Sequence, residues 1–125
     1  MNSKIKNIIG SGFLASKFKF YAKKINKLNI CIYAAGVSNS LCRNRKYLDR
    51  DFSRIESFIK LIHNQKFVYI STCSIFDPNR NKSEYIKNKI KIEKYIRKKV
   101  SNYVIIRLPE LVGVSKNKNT LTNFL

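Results

Sequence analysis

Tyr85 and Lys89 stand four residues apart in "SEYIKNKI", and a helix through this stretch puts both side chains on one face. A lysine ammonium beside a phenol favours the phenolate, lowering a pKa normally near ~10 toward the range useful for proton transfer at neutral pH. Tyr85 is therefore a candidate general acid or base. Thr72, upstream in "YISTCSIFD", offers a hydroxyl to orient the same reacting oxygen. Tyr95 and Lys99 repeat the spacing, as a lysine-rich helix does by chance. Position separates the two pairs: Tyr85 lies near its helix start and follows a hydroxyl-rich strand end, whereas Tyr95 comes late in the helix.

The second chemistry-bearing stretch is "GSGFLA", Gly10 to Ala15, which satisfies G-x-G-x-x-A between a strand and a helix. In that context Gly10 makes the tight turn, Gly12 lets backbone approach a pyrophosphate, and Ala15 allows close helix–strand packing, with the helix N-terminus facing the phosphates. A glycine-rich turn with no ligand is the plainer alternative.

The elements that must position these residues follow from periodicity. Strands are expected at "KIKNII" (Lys4 to Ile9), "NICIYAAG" (Asn29 to Gly36), "KFVYIS" (Lys66 to Ser71) and "YVIIRL", which stops at Pro109. A helix through "FLASKFKFYAKKI" carries Leu14, Phe18, Tyr21, Ala22 and Ile25 as its apolar stripe. The next carries Leu48, Phe52, Ile55, Phe58, Ile59 and Ile62, and a third starts at the N-cap Ser83 and runs to about Lys99. Strand and helix alternate throughout, which predicts an α/β fold: a Rossmann-like, doubly wound parallel sheet, reduced in strand number, in three α/β/α layers. Ligands of such sheets bind beyond the carboxyl ends of the strands, so "GSGFLA", "AAGVSNS", "STCSIFD" and "PELVG" are the segments to inspect. One domain over residues 1–125 is expected, without repeat or linker.

In their order, "IIGSGFLA", "CIYAAG", "FVYISTCSIFD", Tyr85 with Lys89, and "VIIRLPELVG" resemble the short-chain dehydrogenase/reductase superfamily, nearest its extended branch of NAD-dependent sugar-nucleotide epimerases and dehydratases. The resemblance covers most of the chain. It implies NAD or NADP as cofactor, bound by Gly10, Ser11, Gly12, Phe13, Leu14 and Ala15 at the pyrophosphate, by Ala34, Ala35 and Gly36 on the adenosine side, by Lys89 at the nicotinamide ribose, and by Leu108 and Pro109 near the nicotinamide. It implies Thr72, Tyr85 and Lys89 as the catalytic trio. The implied activity is hydride and proton transfer on a nucleotide-linked sugar, of the kind used in cell-surface polysaccharide synthesis. A homodimer is compatible with it, and no metal is implied.

The chain departs from that pattern in three places. Ile9 and Ala15 stand where G-x-x-G-x-x-G has glycine, and Glu110 stands where asparagine is usual. The family has two more strands between its first helix and the "AAG" strand, the first ending in a ribose-binding acid. Here "YAKKINKLNI" connects the two almost directly, and no Asp or Glu occurs from Met1 to Leu48. Lys23, Lys24 and Lys27 offer charge for a phosphorylated ribose instead. The chain also stops at "NTLTNFL", leaving little substrate region, so a fragment, or a truncated or degenerate cofactor-binding relative without catalysis, is the alternative expectation.

Lys and Arg number 26 against 7 Asp and Glu, a formal charge of +19. Such an imbalance suggests a nucleic-acid or anionic-membrane partner. Lysine is accompanied here by Asn and Ile, however, the mixture an AT-rich coding bias produces without such a partner. The basic residues are spread out, with no strand-plus-aromatic nucleic-acid signature, so neither nucleic acid nor membrane is expected as a partner. A basic nucleic-acid-binding protein remains the third alternative. Cys31, Cys42 and Cys73 lack metal-ligand spacing and read as reduced thiols of a cytoplasmic protein. The apolar run "NIIGSGFLA" is too short for a membrane span. His63 reads as a helix cap or surface residue, Asp77 as a turn former before Pro78, and Arg43, Arg45, Arg50 and Arg54 as a solvated helix face.

Overall fold

β-Branched runs form the sheet, and apolar stripes flanked by lysine form the helices that cover it. The structure, a computed structural model, describes residues 7–35, 44–62, 64–76, 78 and 83–109. Its strands are β1 (Ile8–Ile9), β2 (Ile30–Tyr33), β3 (Lys66–Thr72) and β4 (Tyr103–Leu108). All pair in parallel, in the spatial order β1-β2-β3-β4. The helices are α1 (Phe13–Lys19), α2 (Ala22–Lys27), α3 (Arg45–Leu61) and α4 (Glu84–Lys99). The expected α/β class and parallel sheet are both found. The first expected strand is described only at its Ile8–Ile9 end, since Lys4 to Lys6 lie outside the described residues.

The helix starts follow their capping chemistry. Asn44 accepts a hydrogen bond from the Lys46 N–H at 3.0 Å to open α3, and Ser83 accepts one from the Ile86 N–H at 3.2 Å to open α4. Glu84 in the first turn of α4 and Arg97, Lys98 and Lys99 in its last match the helix dipole.

The single helix expected over "FLASKFKFYAKKI" is instead two. The Phe20 and Tyr21 N–H groups bond the carbonyls three residues back, Lys17 at 3.3 Å and Phe18 at 2.9 Å, and this tightening ends α1. Helical bonding restarts from the Tyr21 carbonyl, which takes the Ile25 N–H at 2.9 Å. The break changes the phase of the apolar stripe. Ala15 and Ile25 stay buried, but Tyr21 is turned into solvent. Asn29, at φ 55°, ends α2 in the left-handed conformation that asparagine tolerates and turns the chain into β2.

Alternation along the strands sorts the core into two layers. Ile8, Ile32 and Val68 face α1 and α2, packing with Ala15 and Ile25. Ile9, Cys31, Tyr33, Phe67 and Tyr69 face the other way, onto Ile55 and Ile59 of α3 and Ile92 and Ile96 of α4. The ladder registers Ile8↔Ile32, Ile32↔Val68 and Val68↔Val104 keep the first row on one face across all four strands.

Helices on both faces of a sheet whose strands run in sequential order have a topological consequence. The three crossovers all step the same way across the sheet, yet the first passes over one face and the other two over the opposite face. The first crossover therefore has the opposite hand to the second and third. Roughly 98% of parallel crossovers are right-handed, so this chain contains an exception.

Candidate functional site

Because every strand is parallel, the ends of β1, β2, β3 and β4 open on one edge of the sheet. Gly10 ends β1 at φ 132°, and a Cβ built there would stand 2.7 Å from the Ala34 carbonyl oxygen, 2.9 Å from its carbon and 3.1 Å from the Ala15 Cβ. Only glycine lets this turn lie against the end of β2, where the Ala34 N–H donates to the Ile9 carbonyl at 2.8 Å. Gly12 is the opposite case. It is exposed, it is the N-cap of α1, and a Cβ there would meet nothing within 4 Å. Ser11 is exposed beside it, Phe13 and Leu14 are half-buried, and Ala15 is buried against the sheet. Ala34 and Ala35 follow β2, half-buried; Gly36 lies outside the described residues. At the end of β4, Leu108 is half-buried and Pro109 exposed.

After β3 comes a 3-10 turn, Cys73–Phe76, and α4 starts at its N-cap Ser83, so the first turns of α4 lie at this same edge. An ion pair between Arg45 and Glu84, 3.0 Å long, ties the starts of α3 and α4 together. Tyr85 and Lys89 are both buried, 7% and 5% exposed, with the Lys89 Nζ 5.6 Å from the centre of the Tyr85 ring. The structure thus brings the pair together on one face of α4. Thr72 is placed differently. By alternation along β3 it belongs to the face that meets α1 and α2, and its Oγ1 accepts the Ser74 N–H at 3.1 Å. The hydroxyl on the α4 side of that strand end is Ser71.

Electrostatics around the pair differ from the sequence expectation. The Lys89 Nζ hydrogen-bonds the Tyr69 hydroxyl at 3.2 Å, and lies 5.2 Å from that ring's centre. Burial, with a smaller contribution from the Asp51 charge, pushes the Tyr85 phenol up to about 12. The expected lowering by lysine is overturned because desolvation of a phenolate outweighs a cation that is itself committed to another tyrosine. Burial also lowers Lys89, against the opposing pull of Asp51 and Glu93.

The sequence reading passed over most of the polar groups that surround the pair. Asp51 of α3, 4% exposed, receives the Tyr33 hydroxyl and the Asn88 amide, each at 3.4 Å. Tyr33 and Tyr69, on neighbouring strands, pack with their rings tilted and ring centres 6.1 Å apart, and burial raises both phenols. Glu93, 1% exposed, accepts the Ser71 hydroxyl at 2.6 Å, Arg107 through two bonds of 2.6 and 3.2 Å, and Arg97 at 3.1 Å. Burial alone raises the Glu93 carboxyl, but hydrogen bonds from Arg107 and Ser71 and the two guanidinium charges together hold it below its ordinary value. One signal was present in the sequence. Asp51 falls three residues after Leu48 and four before Ile55, and Glu93 three before Ile96, so both carboxylates occupy positions on apolar stripes. Charges there are buried, and a buried charge needs partners.

Two other features lie apart from this edge. A cleft of about 330 Å³ is formed near Asn64, Gln65, Ser101 and Asn102, at the amino ends of β3 and β4. Cys31 is buried in the core, its thiol pushed up to about 11 by desolvation, which makes it inert at neutral pH. Among the described residues there is no cluster of His, Cys, Asp and Glu fit to hold a metal ion, and no helix long and apolar enough to cross a membrane. Comparisons of the chain with protein-family models, with curated proteins and with solved structures find no match.

Proposed function

We propose that this chain is a NAD(P)-binding domain of the Rossmann type, reduced by two strands, serving an oxidoreductase or epimerase that acts on a nucleotide-linked sugar. The observation that carries this reading is the mixed hand of the crossovers. A doubly wound sheet in the order 3-2-1-4-5-6 places its first helices on one face and its later ones on the other. Removing its second and third strands leaves four strands in sequential order. The first helix then remains on the face opposite the rest, which is the arrangement of α1 and α2 against α3 and α4.

The residues at the carboxyl edge fit a dinucleotide in part. The open space around Gly12 suits a pyrophosphate, and Gly10 holds the turn against Ala34. No carboxylate is available in the first 48 residues for the adenosine ribose, and Lys23, Lys24 and Lys27 belong to α2, which leads to the amino end of β2 and away from this edge. When bound, the nicotinamide supplies or accepts the hydride. With its phenol pushed up to about 12, Tyr85 keeps its proton at neutral pH and is suited to donate it to a carbonyl oxygen in the reducing direction. Taking a proton from an alcohol instead requires Lys89 to shift from Tyr69 toward Tyr85.

A second reading, a cofactor-binding relative without turnover, is favoured by the same contact, since Tyr85 is 7% exposed and Lys89 is held by Tyr69. Calorimetry with the oxidised and reduced forms of both cofactors tests the shared premise, and absence of binding at millimolar cofactor refutes both readings. If binding is found, reduction of a nucleotide-linked keto-sugar that disappears in Tyr85→Phe while cofactor affinity is unchanged selects the enzyme. Binding without turnover selects the relative.

A further inference from the structure

We infer that the outer side of α1 and α2 is a docking surface for an anionic phospholipid membrane, engaged peripherally. Three of the four most exposed large apolar side chains among the described residues fall within one short stretch: Phe20 at 81%, Tyr21 at 64% and Leu28 at 60%. The same two helices carry Lys17, Lys19, Lys23, Lys24 and Lys27, all exposed, and no acidic residue. Among the described helices the distribution is specific to α1 and α2. All 7 acidic residues of the chain come after Leu48, so the lysines of α3 and α4 are interleaved with carboxylates such as Asp49, Glu56 and Glu84, while those of α1 and α2 are not.

The two ends of α2 supply its exposed apolar groups. Tyr21 is its N-cap and Leu28 its C-cap, both exposed, with the exposed Lys23, Lys24 and Lys27 between them, while Ile25 anchors the helix on the sheet. The break between the helices places Phe20 and Tyr21 side by side at the corner, where an unbroken helix would have kept Tyr21 in the core. Aromatic and leucine side chains entering the boundary between headgroups and acyl chains, with lysines around them at the phosphates, is the pattern of peripheral membrane binding.

A nucleic acid fits less well. Every basic residue of the patch is a lysine, so the bidentate phosphate and base contacts of arginine are absent from it. The Phe20 ring, a face for base stacking, already has the Lys17 Nζ 5.9 Å from its centre. The sequence pointed away from a membrane partner because its basic residues are spread along the chain and no apolar run reaches a spanning length; the exposed Phe20, Tyr21 and Leu28 supply an apolar element that charge alone lacked.

The test is co-sedimentation of the full chain with vesicles of phosphatidylcholine alone or with roughly a third phosphatidylglycerol, at moderate salt. A lysine near an anionic surface is worth roughly fivefold in affinity. Lys23→Gln/Lys24→Gln/Lys27→Gln together should therefore weaken binding about 100-fold. Lys94→Gln/Lys98→Gln/Lys99→Gln, the same charge change on α4, should weaken it no more than about threefold. Phe20→Ser/Tyr21→Ser should weaken binding about tenfold at unchanged net charge. All these positions are solvent-exposed, and unchanged circular dichroism checks that each variant is folded. Equal losses from the two lysine triples, no loss from the aromatic double variant, or no preference for anionic vesicles overturns the proposal. So does tighter binding of an oligouridylate that the α2 triple abolishes, or a dimer that Phe20→Ser/Tyr21→Ser dissociates.

Discussion

Gly10 and Gly12 differ by two positions and by almost everything physical, and replacing each with alanine separates structure from binding. At Gly10 the new methyl meets two backbone atoms of Ala34, at 2.7 and 2.9 Å, in a φ of 132° that L side chains rarely adopt. Neither atom can give way cheaply, because Ala34 is held by its hydrogen bond to Ile9 at 2.8 Å, and moving it means breaking the pairing of β1 with β2. Backbone strain of this kind costs about 1–3 kcal/mol, the overlap adds to it, and the stiffer unfolded chain returns about 0.4–1 kcal/mol. We expect Gly10→Ala to lose about 3 kcal/mol, a fall in Tm of about 10 °C for a domain of this size. At Gly12, φ is −82° and the methyl enters open space, so stability should stay within about 0.5 kcal/mol of the parent. Urea unfolding of the two variants, followed by circular dichroism, measures both. A Gly10→Ala protein as stable as the parent, or a Gly12→Ala protein as damaged as Gly10→Ala, refutes the packing argument. Under the proposed function, Gly12→Ala should also lose cofactor affinity while keeping its stability, because the methyl occupies the approach to the pyrophosphate.

Other outcomes follow from the buried polar groups. Glu93→Gln leaves Arg107 and Ser71 without their charged acceptor and should cost about 2–3 kcal/mol at neutral pH, read by urea unfolding. Because the folded state holds Glu93 below its ordinary pKa, its stabilisation is present above the unfolded value of ~4.3 and is lost as pH falls through the folded one. The parent's stability should therefore drop on acidification below about pH 4.5, and Glu93→Gln should flatten that drop. Tyr85 has the opposite sign: its raised pKa contributes stability fully below ~10, lost as pH rises toward about 12. Tyr85→Phe should thus remove one tyrosinate from the absorbance change that accompanies alkaline unfolding, and an unchanged amplitude would show that Tyr85 is not buried as described. Asp51→Asn, which removes a charge that raises Tyr33, Tyr69 and Tyr85 alike, should move the tyrosinate transition to lower pH.

Local chemistry made much of the fold legible in the sequence. Ser83 announced α4 because a hydroxyl before an apolar stripe satisfies a free helix N–H, and Pro109 marked the end of β4 because it cannot donate to a ladder. Tyr85 and Lys89 were legible as a pair because a spacing of four is fixed by the helix itself. The turn at Gly10 was legible because only glycine tolerates it. These features depend on bonds between near neighbours in the chain, and near neighbours are what a sequence displays.

Tertiary structure decided the rest. Where the stripe through α1 and α2 breaks depends on how the sheet receives it, so the exposure of Tyr21 could not be read from spacing alone. Which partner Lys89 holds depends on Tyr69, 20 residues away on another element, and the Tyr85 pKa depends on burial and on Asp51 of α3, neither of which is local. The same holds for Glu93, whose three basic and hydroxyl partners come from β3, β4 and its own helix. Sequence determined the order of strands and helices, apart from the break between α1 and α2, and the pairing of Tyr85 with Lys89, because backbone hydrogen bonding and helical periodicity are local. Packing alone decided which face each crossover took and which charge met which, because burial and Coulomb interactions act between residues that the chain keeps far apart.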